Sequence, residues 1–474
     1  MKGSRLMLVL WVLIPLIVAV AFNLSPQAYA LDELWIQARQ AHRWQQLSQQ
    51  IKALRGITTF EPWRADLWEQ IGDLEMASGG WRDAIEAYQT AKGLGGLSSE
   101  GQIALGSAFW NLGEREQAAA YWSQLMANEE LSVGAYAEIA GLYRKAGDFS
   151  NAEKTLRNWL RQAENDPQAN YQLGLLLSPN RPQEALTYLQ RVKEEPGLVS
   201  KASVLESIIV TVSHERDPGY RSLQIGRTLG SLEEWDMAAL AFEAAIRASP
   251  GYAEAWALLG EAQQHLGQDG LPQLQYALEL KPDSTLAQAL LALYWRRHGK
   301  PQVAMQYLLD IAEKEPKRAV WLVELGNTAA ENGDNKTALG YFRKAAEIEP
   351  QSPLVWRSLV QFCLSQGLLL REEGLPAARQ LLVLTPDDPV ALDLMGAVLL
   401  NLEDLESSER FLQLAIQRDQ AFPDAHLHLG QVYLLMEQLD AARYHLKQAI
   451  ELSEEGDSMW RMAKRLLERN FSGE

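Results

Sequence analysis

The sequence predicts an all-α chain built as a solenoid of helix pairs, and three observations carry that prediction. A bulky apolar residue followed by a small one recurs at Ile71-Gly72, Leu105-Gly106, Ile139-Ala140, Leu173-Gly174, Ile225-Gly226, Leu259-Gly260, Leu291-Ala292, Leu325-Gly326, Met395-Gly396 and Leu429-Gly430, with a weaker copy at Leu359-Val360. The second members are spaced 34, 34, 34, 52, 34, 32, 34, 34, 36 and 34 residues apart, and a period near 34 is that of a stacked helix hairpin. Other positions keep the same phase. A small residue follows twelve later (Ala84, Ala118, Ala152, Ala238, Ala304, Ala338, Ala442), and a bulky one four after that (Tyr88, Trp122, Leu156, Phe242, Leu308, Phe342, Leu446). Thirdly, strand signals are nearly absent, and the 47% hydrophobic content is laid out at helical spacing.

Taken in order, residues 1–30 form a module of their own. Lys2 and Arg5 precede an uncharged run whose apolar heart, Leu6 to Phe22, is long enough for a marginal membrane crossing. The same stretch, with Ala28-Tyr29-Ala30 as a small-x-small site, also fits a cleaved secretory signal. Either reading puts the repeats outside the cytoplasm: secreted, periplasmic or anchored to the cell membrane, with membrane association through residues 6–22 if they are retained. Residues 31–64 read as a degenerate helix pair around Trp35, Trp44, Leu47, Ile51 and Leu54. Residues 65–196 hold repeats one to four. The 52-residue interval leaves room at 197–218 for one extra helix, supplied by Leu198 to Ile209. Residues 219–456 hold repeats five to eleven, the ninth stretched by the run Leu368 to Gly374, and residues 457–474 form a polar capping helix of the kind a solenoid end requires.

Each position has a mechanical role. Residues at i, i+3, i+4 and i+7 share a helix face, so one helix buries a Trp/Leu/Gly stripe and its partner an Ala/Phe/Ala stripe. Small side chains at the crossing let the backbones approach, and large ones fill the groove beside it. Gly147, Gly267, Gly299 and Gly333 fall between paired helices, where the chain needs a helix stop. Pro250, Pro316 and Pro350 close second helices, and Trp68, Tyr136, Trp256, Leu322 and Trp356 open first ones. The pattern resembles the tetratricopeptide repeat, W-x2-L-G-x2-Y, then A-x3-F, then A-x4-P. The closest copies are Ile225-Gly226…Ala238…Phe242…Ala245…Pro250 and Leu325-Gly326…Ala338…Phe342…Ala345…Pro350. The resemblance implies a right-handed superhelical solenoid of about eleven repeats that binds proteins or peptides in a concave groove.

Catalytic signatures are missing: there is no HExxH, no phosphate-cradling GxxxxGK, no GxSxG and no CxxC. No cofactor or metal is expected. His426 and His428 are two apart and so on different sides of a helix, with His445 able to approach from the paired helix. Cys363, the single cysteine, reads as a buried small hydrophobe. A net charge of −17 disfavours nucleic acid.

In the resembled family the first helices line the groove, which nominates Arg227, Glu261, Arg296, Asn327, Arg357, Gln361 and Gln431 as the partner surface. Three arginines in an acidic chain suggest a peptide carboxylate or an acidic segment as ligand. The expected function is a non-catalytic scaffold for an extended peptide or a partner domain. The alternative is a glycan-binding module of the cell envelope using Trp110 or Trp295; most of the fifteen tryptophans read as core or staples between repeats.

Overall fold

A computed structural model describes residues 29–127 and 131–471. The expected signal or anchor at residues 6–22 lies outside them. Among the described residues every regular element is a helix, and none is long and apolar enough to cross a membrane. The chain divides into two compact units, residues 1–216 and 217–474.

In the first unit, α1 covers residues 29–43. It is followed by α2 (Leu47–Phe60), α3 (Ala65–Ser78), α4 (Trp81–Gly93), α5 (Ser99–Asn111), α6 (Arg115–Ala127), α7 (Val133–Lys145), α8 (Phe149–Gln162), α9 (Pro167–Leu177) and α10 (Pro182–Leu189). A longer helix, α11 (Pro196–Val212), fills the 52-residue interval. The second unit contains α12 (Pro218–Ser231), α13 (Trp235–Ala248), α14 (Ala253–His265), α15 (Leu271–Leu280), α16 (Thr285–Arg297), α17 (Pro301–Lys314), α18 (Ala319–Glu331) and α19 (Asn335–Ile348). It continues with α20 (Pro353–Gln366), a π-helical turn at Leu370–Gly374, α21 (Leu375–Leu384), α22 (Pro389–Asn401), α23 (Leu405–Arg418), α24 (Pro423–Leu435), α25 (Leu439–Leu452) and α26 (Ser458–Phe471). The π turn falls on the stretched run of the ninth repeat. Within each unit successive helices pack on one another, as α3 on α4, α12 on α13 and α24 on α25, and first helices also touch, α3 with α5, α14 with α16 and α18 with α20.

Local chemistry sets where helices begin and end. The side chains of Ser98, Asp148, Asp166, Asp217, Ser284, Asp334, Asp388 and Asp404 accept hydrogen bonds from first-turn backbone N–H groups. Pro167, Pro182, Pro218, Pro301, Pro353, Pro389 and Pro423 occupy the first helical turn, where no N–H is needed. Gly147 and Gly333 stop their helices in the left-handed region, at φ 75° and 79°. The Nε1 atoms of Trp68, Trp256 and Trp356 each donate to the carbonyl of the proline six residues earlier, Pro62, Pro250 and Pro350, tying a first helix to the turn before it.

The core is a repeated fit of one bulky ring or branched side chain against one residue with no Cβ. Tyr88, Trp122, Phe242, Phe342 and Leu446 are all buried. A Cβ on Gly72 would stand 2.5 Å from the Tyr88 ring, one on Gly226 2.6 Å from Phe242, and one on Gly326 2.8 Å from Phe342. On Gly106 it would overlap the indole of Trp122. All seven alanines that follow the step by twelve residues are buried as well. Burying an aromatic side chain of this size contributes roughly 2–3 kcal/mol of transfer free energy.

Candidate partner groove

In the second unit ion pairs join neighbouring first helices along the series α12, α14, α16, α18, α20, α22 and α24 at every step but α18–α20. Arg227 of α12 pairs with Glu254 of α14, and Glu261 of α14 with Arg297 of α16 at 2.9 Å. Arg296 of α16 reaches two carboxylates of α18, Glu324 at 2.6 Å and Glu331 at 2.5 Å. Arg357 of α20 contacts Asp388, the N-cap of α22, at 2.8 Å, and Asp393 of α22 contacts His428 of α24 at 2.7 Å. Among the described residues no ion pair or side-chain hydrogen bond joins α18 to α20. At that seam lies a pocket of about 280 Å³.

Three of the seven residues nominated from the sequence, Arg296, Asn327 and Gln361, line this pocket together with Glu331, Ser358 and Gln366. Asn327 and Gln361 have no hydrogen-bond partner among the described residues, so their amides are free to donate and accept. The other four nominated residues stand apart from it. Arg227 and Arg357 are drawn into the ion pairs just described. Glu261 is buried between His265 and Arg297, and the Gln431 amide points at the Met462 sulfur, 3.7 Å away.

The three arginines that suggested an acidic ligand are all engaged within the chain. All three guanidiniums already face a carboxylate, because acidic residues one repeat away fall on the same face. The hydrogen bond to Glu331, with its charge and that of Glu324, outweighs burial and holds Arg296 above its ordinary pKa. The pocket therefore presents carboxamides and hydroxyls, with the charge of Arg296 more than balanced by two glutamates. Ser358 and Ser365 escaped the sequence reading, although they share the face of Gln361 at i−3 and i+4.

The tryptophans of the glycan-binding alternative are both engaged by neighbours. Trp110 packs with its centroid 5.5 Å from Trp122 and 5.9 Å from Tyr143, and Arg115 covers it. Trp295 lies edge-on to Tyr294 at 5.1 Å under Lys300. Each ring thus meets an aromatic neighbour and a cation.

Elsewhere the titratable groups are structural. Cys363 is buried, and burial followed by the charge of Glu373 pushes its thiol up to about 11, which keeps it protonated and unreactive. His426 and His445 meet Nδ1 to Nδ1 at 3.0 Å. Burial, and then the neighbouring His426, hold His445 down at about 4, so the pair is neutral near pH 7. Burial alone would lower His428, but Asp393 at its ring nitrogen more than offsets this and the net pKa is raised. Among the described residues no three His, Cys, Asp or Glu side chains converge as a metal site would require.

Models of the tetratricopeptide repeat match residues 70–125, 103–167, 223–269 and 423–455. Those segments of the chain are tetratricopeptide repeats. Among curated proteins, this repeat protein is similar to the peroxisomal targeting signal receptor of Debaryomyces hansenii, at 32% identity over 199 residues, 40% of this chain and 32% of that one. The receptor of the same description from Candida albicans is 28% identical over 225 residues, 46% of this chain and 37% of that one. The chain thus matches about a third of the length of these relatives. Among solved structures, yeast Tom70 aligns over 94% of this chain and 96% of its own with a TM-score of 0.45 and 13% identity. MamA of Desulfovibrio magneticus RS-1 aligns over 37% of this chain and 98% of its own, with a TM-score of 0.32 and 24% identity.

Proposed function

We propose that this protein is a non-catalytic scaffold that holds an extended peptide segment of a partner protein along the first helices of its second unit, centred on Asn327 and Gln361. The observation that carries this reading is the α18–α20 seam, where the ladder of ion pairs is interrupted and unpartnered amides line a pocket. A carboxamide can donate to a peptide carbonyl and accept from a peptide N–H at once. The pocket has the volume of one or two side chains rather than of a small-molecule substrate site. The partial similarity to targeting signal receptors supports a protein ligand. The local charge favours a neutral or basic segment over an acidic one.

The expected location is outside the cytoplasm, supported by the apolar run after Lys2 and Arg5; repeats that resist protease added to cells whose outer layers have been opened, and are digested only after lysis, would oppose it. The binding reading is tested by affinity capture from the native host with the full chain and with the Asn327→Ala, Gln361→Ala double variant. Losing two hydrogen bonds to the ligand should weaken capture by about ten- to a hundredfold, with helicity unchanged by circular dichroism. Equal capture by both proteins would refute the site.

A further inference from the structure

The first helix pair holds a further pocket, lined by none of the groove residues. Between α1 and α2 lies a pocket of about 600 Å³, inside the range typical of small-molecule sites. Its polar lining consists of four carboxamides, Gln37, Gln40, Gln46 and Gln49, and one ammonium group, Lys52. None of these five side chains has a hydrogen-bond or ion-pair partner among the described residues. At the rim stands Trp44, 69% exposed in the turn between the helices. Residues of its size are normally half-buried or more, and Trp110, Trp122 and Trp295 in this chain are engaged with aromatic or cationic neighbours.

We infer that this pocket binds a short neutral oligosaccharide. A sugar hydroxyl both donates and accepts, and so does a carboxamide. Four of them around a cavity match a ring of hydroxyls, whereas a multiply charged ligand would find only Lys52 to answer it. The indole face is apolar and electron-rich, and it suits the C–H face of a pyranose, whose hydrogens carry slight positive charge. The flat ring would cover one face of the sugar while the glutamines take its edge. The site thus has the two components a saccharide requires, an open aromatic platform and a cluster of uncharged donor–acceptors. It lies in the first unit, separate from the groove that would hold a peptide.

The test is calorimetric titration of the full chain with neutral tetrasaccharides of β-1,4 glucose, α-1,4 glucose and β-1,4 N-acetylglucosamine. At least one should bind at millimolar concentration or below. Trp44→Ala should weaken that binding by about tenfold or more, as expected for removal of one stacking platform. Gln49→Leu should weaken it too, and Trp44→Phe should retain part of it. Trp44 is exposed, so its replacement leaves the fold intact, and capture of a partner protein through Asn327 and Gln361 should be unchanged in the same variants. No heat with any of the three sugars, equal binding by wild type and Trp44→Ala, or a peptide occupying this pocket in their place would overturn the inference.

Discussion

Gly270→Ala is expected to destabilise the second unit by about 3 kcal/mol, the upper end of overpacking costs, read as a lower urea midpoint with an unchanged slope. Gly270 is the residue before α15, and it faces Gly260 of α14. A Cβ at position 270 would stand 2.7 Å from the Gly260 carbonyl carbon, 3.0 Å from its Cα, and nearer still to its oxygen. These are backbone atoms, so no side chain can rotate away and the two helices must separate. The cause is visible in the spacing. The interval from Gly260 to Ala292 is 32 residues, two short of the period. The bulky residue that packs against Gly260 is Leu274, fourteen residues on, where Gly174 uses fifteen and the other glycine steps sixteen. Removing two residues pulls the start of the second helix onto the first, and only glycine on both sides fits.

Phe342→Ala is expected to cost about 3–5 kcal/mol, the range for emptying an aromatic site in a packed core. Phe342 is fully buried, lies against Gly326 and meets Phe362 of the next repeat at a centroid distance of 5.1 Å. It therefore supports both the fit within its own hairpin and the junction to the following one. Collapse of the cavity is limited, because α18 is tied to α16 by the Arg296 ion pairs and is not free to shift. Thermal unfolding of the variant should show the lowered stability, while far-ultraviolet circular dichroism at low temperature stays helical.

These two cases show how far the sequence speaks. Packing positions are legible because size is a property of each residue alone. Every bulky residue assigned to a second helix by phase, from Tyr88 to Leu446, is buried. Turn glycines are legible for the same reason, although Glu233, Glu403 and Glu437 adopt the same left-handed conformation without being glycine, and nothing in their side chains announces it. The groove is only half legible. Asn327, Gln361 and Arg296 line one pocket, yet that Arg296 is engaged and the two amides are not depends on which residues lie about one repeat away. The Arg296–Glu331 and Asp393–His428 pairs are both separated by 35 residues, about one repeat. Opposite charges at that separation were the signal that the arginines are not free. Ring exposure is not legible at all. Trp44, Trp110 and Trp295 look alike in sequence, and only the neighbours brought in by folding leave one open and clamp the other two.

The central claim, that a missing Cβ on one helix is what seats the bulky side chain of its partner, is tested most directly by a double-mutant cycle on Gly326→Ala and Phe342→Leu. A Cβ at position 326 would approach the Phe342 ring to 2.8–3.0 Å, whereas a leucine at 342 is shorter and leaves room for it. The account predicts that the double variant is more stable than the two single losses summed, by about 1 kcal/mol or more. Additivity within about 0.5 kcal/mol would mean that the two positions do not compete for the same space, and would contradict it.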